Sequence, residues 1–159
     1  MLDMMEEYIG TKVIKAEPMT RGDYAKLSGR NSILTEKGES ESDAGYHVRY
    51  ADGYESWSPA KAFEDAYQSF EKMSFGHAIE MLKKGYAVAR EGWNGKGQYI
   101  QLASRISFMD PTGELYNADH ETMGNQAIVF FGTSGIQVGW LASQADILSN
   151  DWTVVYLEK

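Results

Sequence analysis

A chain of 159 residues with 43% hydrophobic and 13% aromatic residues can bury a core, as one domain or as two small ones. Its net charge of −8 excludes a general nucleic-acid-binding surface, which needs a basic face, but allows a small anionic ligand held by a few local cations. The absence of cysteine excludes disulfides and thiolate metal sites. Because the N-terminus is acidic and no apolar run is long, we expect no signal peptide and no membrane-spanning helix. We expect a soluble intracellular protein that binds neither membrane nor nucleic acid polymer.

The chain begins with a predicted strand and a short helix. β-Branched residues from Tyr8 to Glu17 predict the strand, which Pro18 closes. Thr20 can cap the helix, and Gly29 ends it. The polar and acidic residues 35–44 then predict a mobile loop rather than a helix or strand.

A hairpin and a second helix complete the first part of the chain. The Asp52-Gly53 pair lies between two aromatic-rich runs and predicts a hairpin turn. Ser58 is the predicted cap of the following helix, and Pro59 is its predicted first residue. Apolar residues at helical spacing predict one buried face, formed by Phe63, Ala66, Tyr67 and Phe70. Residues 1–71 are therefore predicted to form a module of a β-hairpin and a helix.

The second part of the chain opens with a helix and two strands. Ser74 is the predicted cap of a helix whose last turn contains Lys83 and Lys84, with Gly85 past its end. Residues 86–90 and 98–103 predict strands on either side of a glycine-rich turn. The segment that follows is ambiguous, apart from a predicted turn at residues 110–113.

The end of the chain predicts two more strands around a short helix. The apolar run 128–131 predicts a buried strand, and residues 152–157 predict the final strand. Between them, Ser143 is the predicted cap of a helix, with Asp146 at the capping-box position. We therefore predict an α+β fold of small antiparallel sheets with short packed helices, in two compact units divided after residue 71.

The glycine-rich turn, residues 89–97, contains the residue types that a nucleotide pocket needs. Trp93 offers a flat face to a ring, Arg90 and Lys96 offer charge-assisted donors to phosphate, and Asn94 offers an amide. The alternative interpretation is a hairpin turn whose tryptophan packs on the core. The local composition alone favours this alternative.

Sequence motifs for catalysis are scarce. The three histidines, His47, His77 and His120, share no metal-ligand spacing, and we interpret them as structural or solvated. The sequence contains no nucleophile elbow, phosphate-binding loop or dinucleotide fingerprint, and no two carboxylates are paired in it for acid and base work. An enzyme is not favoured, and no catalytic residue, metal or cofactor is predicted.

Two separate motifs in the second part of the chain resemble one known family. The first comprises Ser74 to Gly85 and Val88-Ala-Arg-Glu-Gly-Trp-Asn-Gly-Lys-Gly97, and the second comprises Trp140-Leu-Ala-Ser-Gln-Ala-Asp-Ile-Leu148 and Asp151-Trp152. In this order they are similar to the Thoeris anti-defence two family of phage proteins, over residues 73–157. Residues 105–137 depart from the family pattern, so the resemblance does not identify the ligand.

The resemblance implies a sponge, which is a protein that sequesters a cyclic nucleotide immune signal without cleaving it. The implied ligand is glycocyclic ADP-ribose, the signal of the bacterial Thoeris system, and some members of the family also bind cyclic dinucleotides. The resemblance further implies a homo-oligomer, a dimer or a tetramer, in the cytoplasm of the infected bacterial host. It places the ligand-binding domain in residues 72–159 and gives no role to residues 1–71, which resemble a module of other small phage proteins.

The resemblance also implies a set of ligand-binding residues. Trp93 would stack on the ligand or line its pocket, Asn94 would hydrogen-bond to it, and Arg90 and Lys96 would meet its phosphates. Four residues of the second motif would line or support the pocket, and these are Trp140, Ser143, Gln144 and Asp146. Among them, Asp146 is a candidate acceptor of hydrogen bonds from ribose hydroxyls. Two other classes of function stay open, namely an enzyme that degrades such a signal and a non-catalytic phage structural or adaptor protein.

Overall fold

The structure of the protein, a computed structural model, describes residues 5–30, 39–121 and 126–158. The chain divides into two compact units, Met1–Tyr67 and Gln68–Lys159. Each unit contains an antiparallel sheet and short helices, so the predicted α+β class is confirmed. None of the helices in the described residues is long and apolar enough to cross a membrane.

In the described residues, the first unit contains a three-stranded antiparallel sheet and two helices. Its elements in chain order are β1 (Lys15–Pro18), α1 (Arg21–Ser28), β2 (Gly45–Arg49), β3 (Glu55–Pro59) and α2 (Ala60–Ala66). The strand order is β1-β2-β3, so β2 is central and α1 connects it to β1. Val48 and Tyr24 are buried, and the ring of Phe63 on α2 stacks on Tyr46 of β2 at 4.1 Å.

The first predicted strand is shorter than expected, whereas the first helix is confirmed. The strand begins at Lys15 rather than Tyr8 and includes Pro18, because only residues 15–18 lie opposite β2. Helix α1 begins after Thr20, whose hydroxyl accepts a hydrogen bond from the backbone N–H of Asp23. The helix ends at Gly29, whose φ of 70° is a conformation that favours glycine.

The predicted hairpin is confirmed, but the predicted start of the second helix is wrong. Gly53 has a φ of 86° in the turn between β2 and β3. Ser58 and Pro59 belong to β3, opposite Tyr46 and Gly45, because pairing with β2 continues to the end of that strand. Helix α2 therefore begins at Ala60 without a side-chain cap.

Two other predictions for this part of the chain concern the end of α2 and the acidic loop. Because α2 ends at Ala66, Phe70 does not share its apolar face. Of the predicted loop, residues 35–38 lie outside the described residues, and residues 39–44 contain no helix or strand.

The second unit is built on a five-stranded antiparallel sheet. Its elements in chain order are α3 (Phe75–Lys83), β4 (Ala87–Arg90), β5 (Tyr99–Ala103), β6 (Phe108–Met109), β7 (Leu115–Tyr116), β8 (Ala127–Gly132), β9 (Gly135–Val138), α4 (Gln144–Ile147) and β10 (Trp152–Val155). The strand order in the main sheet is β10-β4-β5-β8-β9, and β6 and β7 form a separate hairpin. The last strand therefore pairs with the first strand of the unit.

Most predicted elements of the second unit are confirmed. Ser74 caps α3, Ser143 and Asp146 form a capping box on α4, and strands occupy the other predicted segments. The predicted turn at residues 110–113 connects β6 with β7, and neither these strands nor β9 was predicted. The apolar run in β8 is less buried than expected, since only Val129 of it is buried.

The core of the second unit lies between α3 and one face of the sheet. Val88 lies opposite Ile100 on one side and Val154 on the other, and all three side chains are buried. Side chains of residues directly opposite each other project from the same face. Arg90 and Trp152 are such a pair at the end of this row, so the fold places a guanidinium beside a fully buried indole.

Candidate functional site

The glycine-rich turn between β4 and β5 is held against the start of β10. The backbone N–H of Gly92 donates to Oδ2 of Asp151 at 2.9 Å, and the N–H of Glu91 donates to the carbonyl of Asp151 at 3.0 Å. A Cβ atom on Gly92 would lie 2.8 Å from Oδ2 of Asp151, and one on Gly95 would lie 2.0 Å from Cδ of Gln98. Close packing therefore favours glycine at Gly92, because Arg90 holds the Asp151 carboxylate in place, whereas a side chain at Gly95 would displace only the flexible end of Gln98.

Arg90 is fully engaged with two carboxylates. Its Nε and Nη2 donate to the two oxygens of Asp151 at 2.8 and 3.3 Å, and its Nη1 donates to Oδ1 of Asp146 at 3.0 Å. These hydrogen bonds, first to Asp151 and then to Asp146, raise the pKa of Arg90. The guanidinium therefore joins β4 to α4 and to the start of β10, and its charge is more than balanced inside the protein.

Asp146 is the central acceptor of the cluster. Its Oδ1 also accepts from the indole N–H of Trp93 at 3.0 Å, and its Oδ2 accepts from the backbone N–H and hydroxyl of Ser143 at 2.9 and 2.7 Å. Burial is the largest single influence on its pKa and raises it, but the hydrogen bonds from Ser143, Trp93 and Arg90 together lower the pKa to about 2. Asp146 is therefore a buried carboxylate that stays ionised because four donors surround it.

Trp93 connects this polar cluster to an aromatic one. Its ring makes edge-to-face contacts with Trp152 at 5.4 Å, Phe130 at 5.5 Å and Trp140 at 5.9 Å between centroids. Trp152 is fully buried and donates its indole N–H to the carbonyl of Asp146 at 2.9 Å. The orientation of Trp93 is thus fixed from both its polar and its apolar sides.

An open depression of about 440 Å³ lies on this aromatic cluster. Its walls combine aromatic rings with amides and one hydroxyl, from Trp93, Asn94, Gly95, Gln98, Phe130, Thr133 and Trp140. No charged side chain is among these lining residues. The depression therefore suits the planar and polar uncharged parts of a ligand better than its phosphates.

The structure brings most of the predicted site residues together, but in two different settings. Trp93, Asn94 and Trp140 line the depression, whereas Arg90, Asp146 and Ser143 lie in the hydrogen-bonded cluster behind it, as their contacts above place them. Lys96 and Gln144 are exposed and line neither. Lys96 forms no ion pair with a carboxylate of the described residues.

Several residues of the site were not predicted from the sequence. Gln98, Phe130 and Thr133 line the depression, and Asp151 holds both the turn and Arg90. Gln98 follows the last glycine of the turn and Asp151 precedes Trp152, so both stand beside predicted residues. Phe130 and Thr133 come from β8 and the turn after it, and no local sequence pattern distinguishes them.

The histidines of the described residues have hydrogen-bond partners that are not residues of this site. The Nδ1 of His77 is 3.1 Å from the hydroxyl of Ser74, and that of His120 is 2.8 Å from the carbonyl of Arg105. In the first unit, His47 lies between carboxylates of Glu17 and Glu55. Within the described part of the chain, no group of three histidine or acidic residues has the arrangement of a metal site.

We expect the contribution of Asp146 to stability to disappear in acid. Its pKa is lower in the folded protein than in the unfolded chain, so its contribution is complete above about pH 4 and is lost as the pH falls toward 2. The shift corresponds to about 2 kcal/mol of unfolding free energy. Urea unfolding of the wild type and of Asp146→Asn between pH 5 and pH 2 measures this contribution. The difference between the two proteins should shrink as the pH falls, and a difference that does not change with pH would contradict the assignment.

Comparisons with known proteins address the same part of the chain. The family model described as Thoeris anti-defense 2-like domain matches residues 73–155. A relative from Bacillus phage SP01, named Thoeris anti-defense 2, is 38% identical over 87 residues, which are 53% of this chain and 96% of the relative. The family match contains the turn, the hydrogen-bonded cluster and the depression. The chain therefore belongs to the Thoeris anti-defense 2-like family.

Proposed function

We propose that this protein is a phage anti-defence sponge that binds a cyclic nucleotide immune signal and sequesters it without cleaving it. Glycocyclic ADP-ribose is the signal that the family resemblance implies, with cyclic dinucleotides as further candidates. The site of action is the cytoplasm of the infected bacterial host. The observation that carries the proposal is the depression on Trp93 and Trp140, because it joins stacking rings to amide groups in a member of an anti-defence family.

The geometry supports direct ligand contacts by a subset of the predicted residues. Trp93 and Trp140 offer ring faces and edges to a base, and Asn94 offers an amide at the rim. Lys96, in the same turn, has no ion pair within the described residues and is the candidate cation for a phosphate.

The remaining predicted residues support the site rather than line it. Arg90, Asp146 and Ser143 satisfy one another and hold Trp93 in place, so in this proposal they position the ligand-contacting residues. Gln144, exposed on the first turn of α4, stays a predicted polar contact at the edge of the site. In the proposed site, one group of residues contacts the ligand, and a second group fixes the position of Trp93.

Sequestration without catalysis is consistent with this arrangement. A sponge needs affinity and a preorganised site, and it needs no group that transfers a proton. The two carboxylates of the hydrogen-bonded cluster, Asp146 and Asp151, are ionised, and both are bound to Arg90. Neither is positioned as a free general base, so binding is the activity that the contacts favour.

We also propose that the protein acts as a homo-oligomer, a dimer or a tetramer. Apolar side chains are exposed on and after the edge strand β9, where Ile136 is 66%, Val138 58% and Leu141 90% exposed. An exposed edge strand with apolar side chains is a common site of association between identical chains. A second copy is the partner that the family resemblance implies for this surface.

The fate of the bound signal tests the proposed function. We expect glycocyclic ADP-ribose at a hundredfold excess over its dissociation constant to stabilise the protein by about 2.7 kcal/mol in a thermal-shift assay. Linear ADP-ribose is the matched control ligand, and light scattering on the same sample gives the oligomer mass. After incubation and heat denaturation, the released signal should be intact. Recovery of a cleaved product would indicate an enzyme, and no shift with any cyclic nucleotide of a panel would favour a structural or adaptor protein.

A further inference from the structure

The first unit has a depression of its own, for which the proposed function gives no role. It lies between α1 and β3 and has a volume of about 350 Å³, near the lower end of ligand-binding pockets. Three aromatic residues and two arginines contribute to its lining, and these are Tyr24, Tyr54, Trp57, Arg21 and Arg30. Such a combination of rings and guanidinium groups is unusual in a unit whose composition is acidic.

The two arginines of this depression have different environments. Arg21 is 8% exposed, forms ion pairs with Glu39 at 2.6 Å and Asp43 at 3.3 Å, and lies over the ring of Trp57 at 4.3 Å. These contacts give Arg21 a structural role, and they pair it with Glu39, the carboxylate that lines the depression. Arg21 therefore stabilises the wall, and its charge is more than balanced by Glu39 and Asp43, so it is not available to a ligand.

Arg30, in contrast, keeps most of its hydrogen-bonding capacity. It follows Gly29 at the end of α1, and Nη1 of its guanidinium lies 3.5 Å from the carbonyl of Glu55. It forms no ion pair with a carboxylate of the described residues. A guanidinium carries five N–H donors in a planar fork that fits phosphate, so Arg30 can bind an anion in the depression.

The aromatic residues supply one ring that is accessible to a ligand. Tyr24 is buried, and Trp57 is covered on one face by Arg21 and donates its indole N–H to the carbonyl of Met19 at 2.8 Å. Tyr54 is 57% exposed and lines the same depression as Arg30. A planar group can stack on Tyr54 while a negative group attached to it meets Arg30.

We propose that this depression is a second ligand site, which binds a nucleoside phosphate with its base on Tyr54 and its phosphate on Arg30. The site is independent of the depression on Trp93 and Trp140, because it is built entirely from residues of the first unit. It gives residues 1–67 a binding activity of their own.

The test uses the full chain and AMP as the probe. The indole N–H signals of the four tryptophans, assigned through single tryptophan-to-phenylalanine variants, report on both depressions in nitrogen-15 NMR spectra. We expect AMP to shift the Trp57 signal and to leave the signals of Trp93 and Trp140 unchanged. Shifts confined to the signals of Trp93 or Trp140 would place AMP in the other depression and overturn the proposal. No binding at millimolar AMP would also overturn it.

Variants of the two contact residues sharpen the test. Arg30→Gln and Tyr54→Ser should each weaken AMP binding about tenfold or more, because each removes one of the two proposed contacts. Lys26→Gln is the matched control, since it removes a positive charge from α1 at a side chain that is 75% exposed and does not line the depression. If Lys26→Gln weakened AMP binding as much as Arg30→Gln does, the effect would come from the overall charge of the protein, and the proposed contact with Arg30 would be contradicted. Adenosine or inorganic phosphate binding as tightly as AMP would contradict the two-part contact.

Discussion

Replacing Arg90 by methionine is expected to lower the free energy of unfolding of the second unit by about 3–5 kcal/mol. The substitution keeps the length of the side chain but leaves Asp146, which is 9% exposed, and Asp151 without their shared cation. Removing one member of a buried, hydrogen-bonded charge cluster leaves uncompensated charge in a poorly solvated place. Urea unfolding followed by tryptophan fluorescence measures the loss, since three of the four tryptophans belong to this unit.

The matched control for Arg90→Met is Lys83→Met. Lys83 forms an ion pair with Glu80 at 2.9 Å on the surface of α3, and its side chain is 59% exposed. Exposed pairs of this kind contribute little to stability, because water and salt screen them. Equal losses for the two variants would mean that the Arg90 cluster is not the structural centre of the unit.

Replacing Trp140 by alanine is expected to weaken binding of the sequestered signal by about tenfold to a hundredfold, because a base stacked on an aromatic side chain contributes about 1–3 kcal/mol. Trp140 lines the depression and its side chain makes no hydrogen bond with the described residues, so removal of the ring leaves Asp146 and Arg90 paired. Isothermal titration calorimetry with glycocyclic ADP-ribose measures the change.

Two further variants test whether the loss of binding comes specifically from the ring of Trp140. Tyr156→Ala removes an aromatic side chain that is 76% exposed and lies outside the depression, so its binding should match that of the wild type. Trp93→Phe keeps a ring in the depression but removes the indole donor to Asp146, so its loss should be mainly in stability. Unchanged binding by Trp140→Ala would show that the signal does not bind in this depression.

The elements that the sequence predicts well are those whose ends are set by local chemistry. Thr20, Ser74 and Ser143 each cap a helix through a side-chain hydrogen bond to the residue three positions later. Such a bond needs only neighbouring residues, so its signal lies in a short stretch of sequence. The Asp52-Gly53 turn is predictable for the same reason.

The failures come from contacts between distant parts of the chain. The Ser58-Pro59 pair has the pattern of a helix start, but pairing with β2 extends β3 through both residues. Conversely, Tyr8 and Ile9 are residue types that favour strands, yet they lie outside β1, because pairing with β2 begins only at Lys15. The local sequence preference for helix or strand therefore sets the structure of a segment only where no strand pairing with a distant part of the chain opposes it.

The candidate site was predictable as a set of residues but not as an arrangement. Motifs identified Arg90, Trp93 and Asp146, whereas the hydrogen bonds among them join residues 53 and 56 positions apart. A lone arginine next to glycines suggests a free cation for phosphate. Only the structure shows two carboxylates bound to it, which is why our proposal gives it the role of supporting the turn.

The ends of the family domain are joined by backbone pairing. Met73 and Trp152 form an isolated bridge, in which the N–H of Met73 donates to Trp152 at 2.7 Å and the N–H of Trp152 donates to Met73 at 3.1 Å. A domain that begins and ends at one place can accept a fused module or a circular permutation without a break in its sheet. The phage relative, 96% of which is covered by a match of 87 residues, is too short to contain both units of this chain. Another binding module can therefore be fused at these joined ends, by evolution or by design, while the sheet of the domain stays intact.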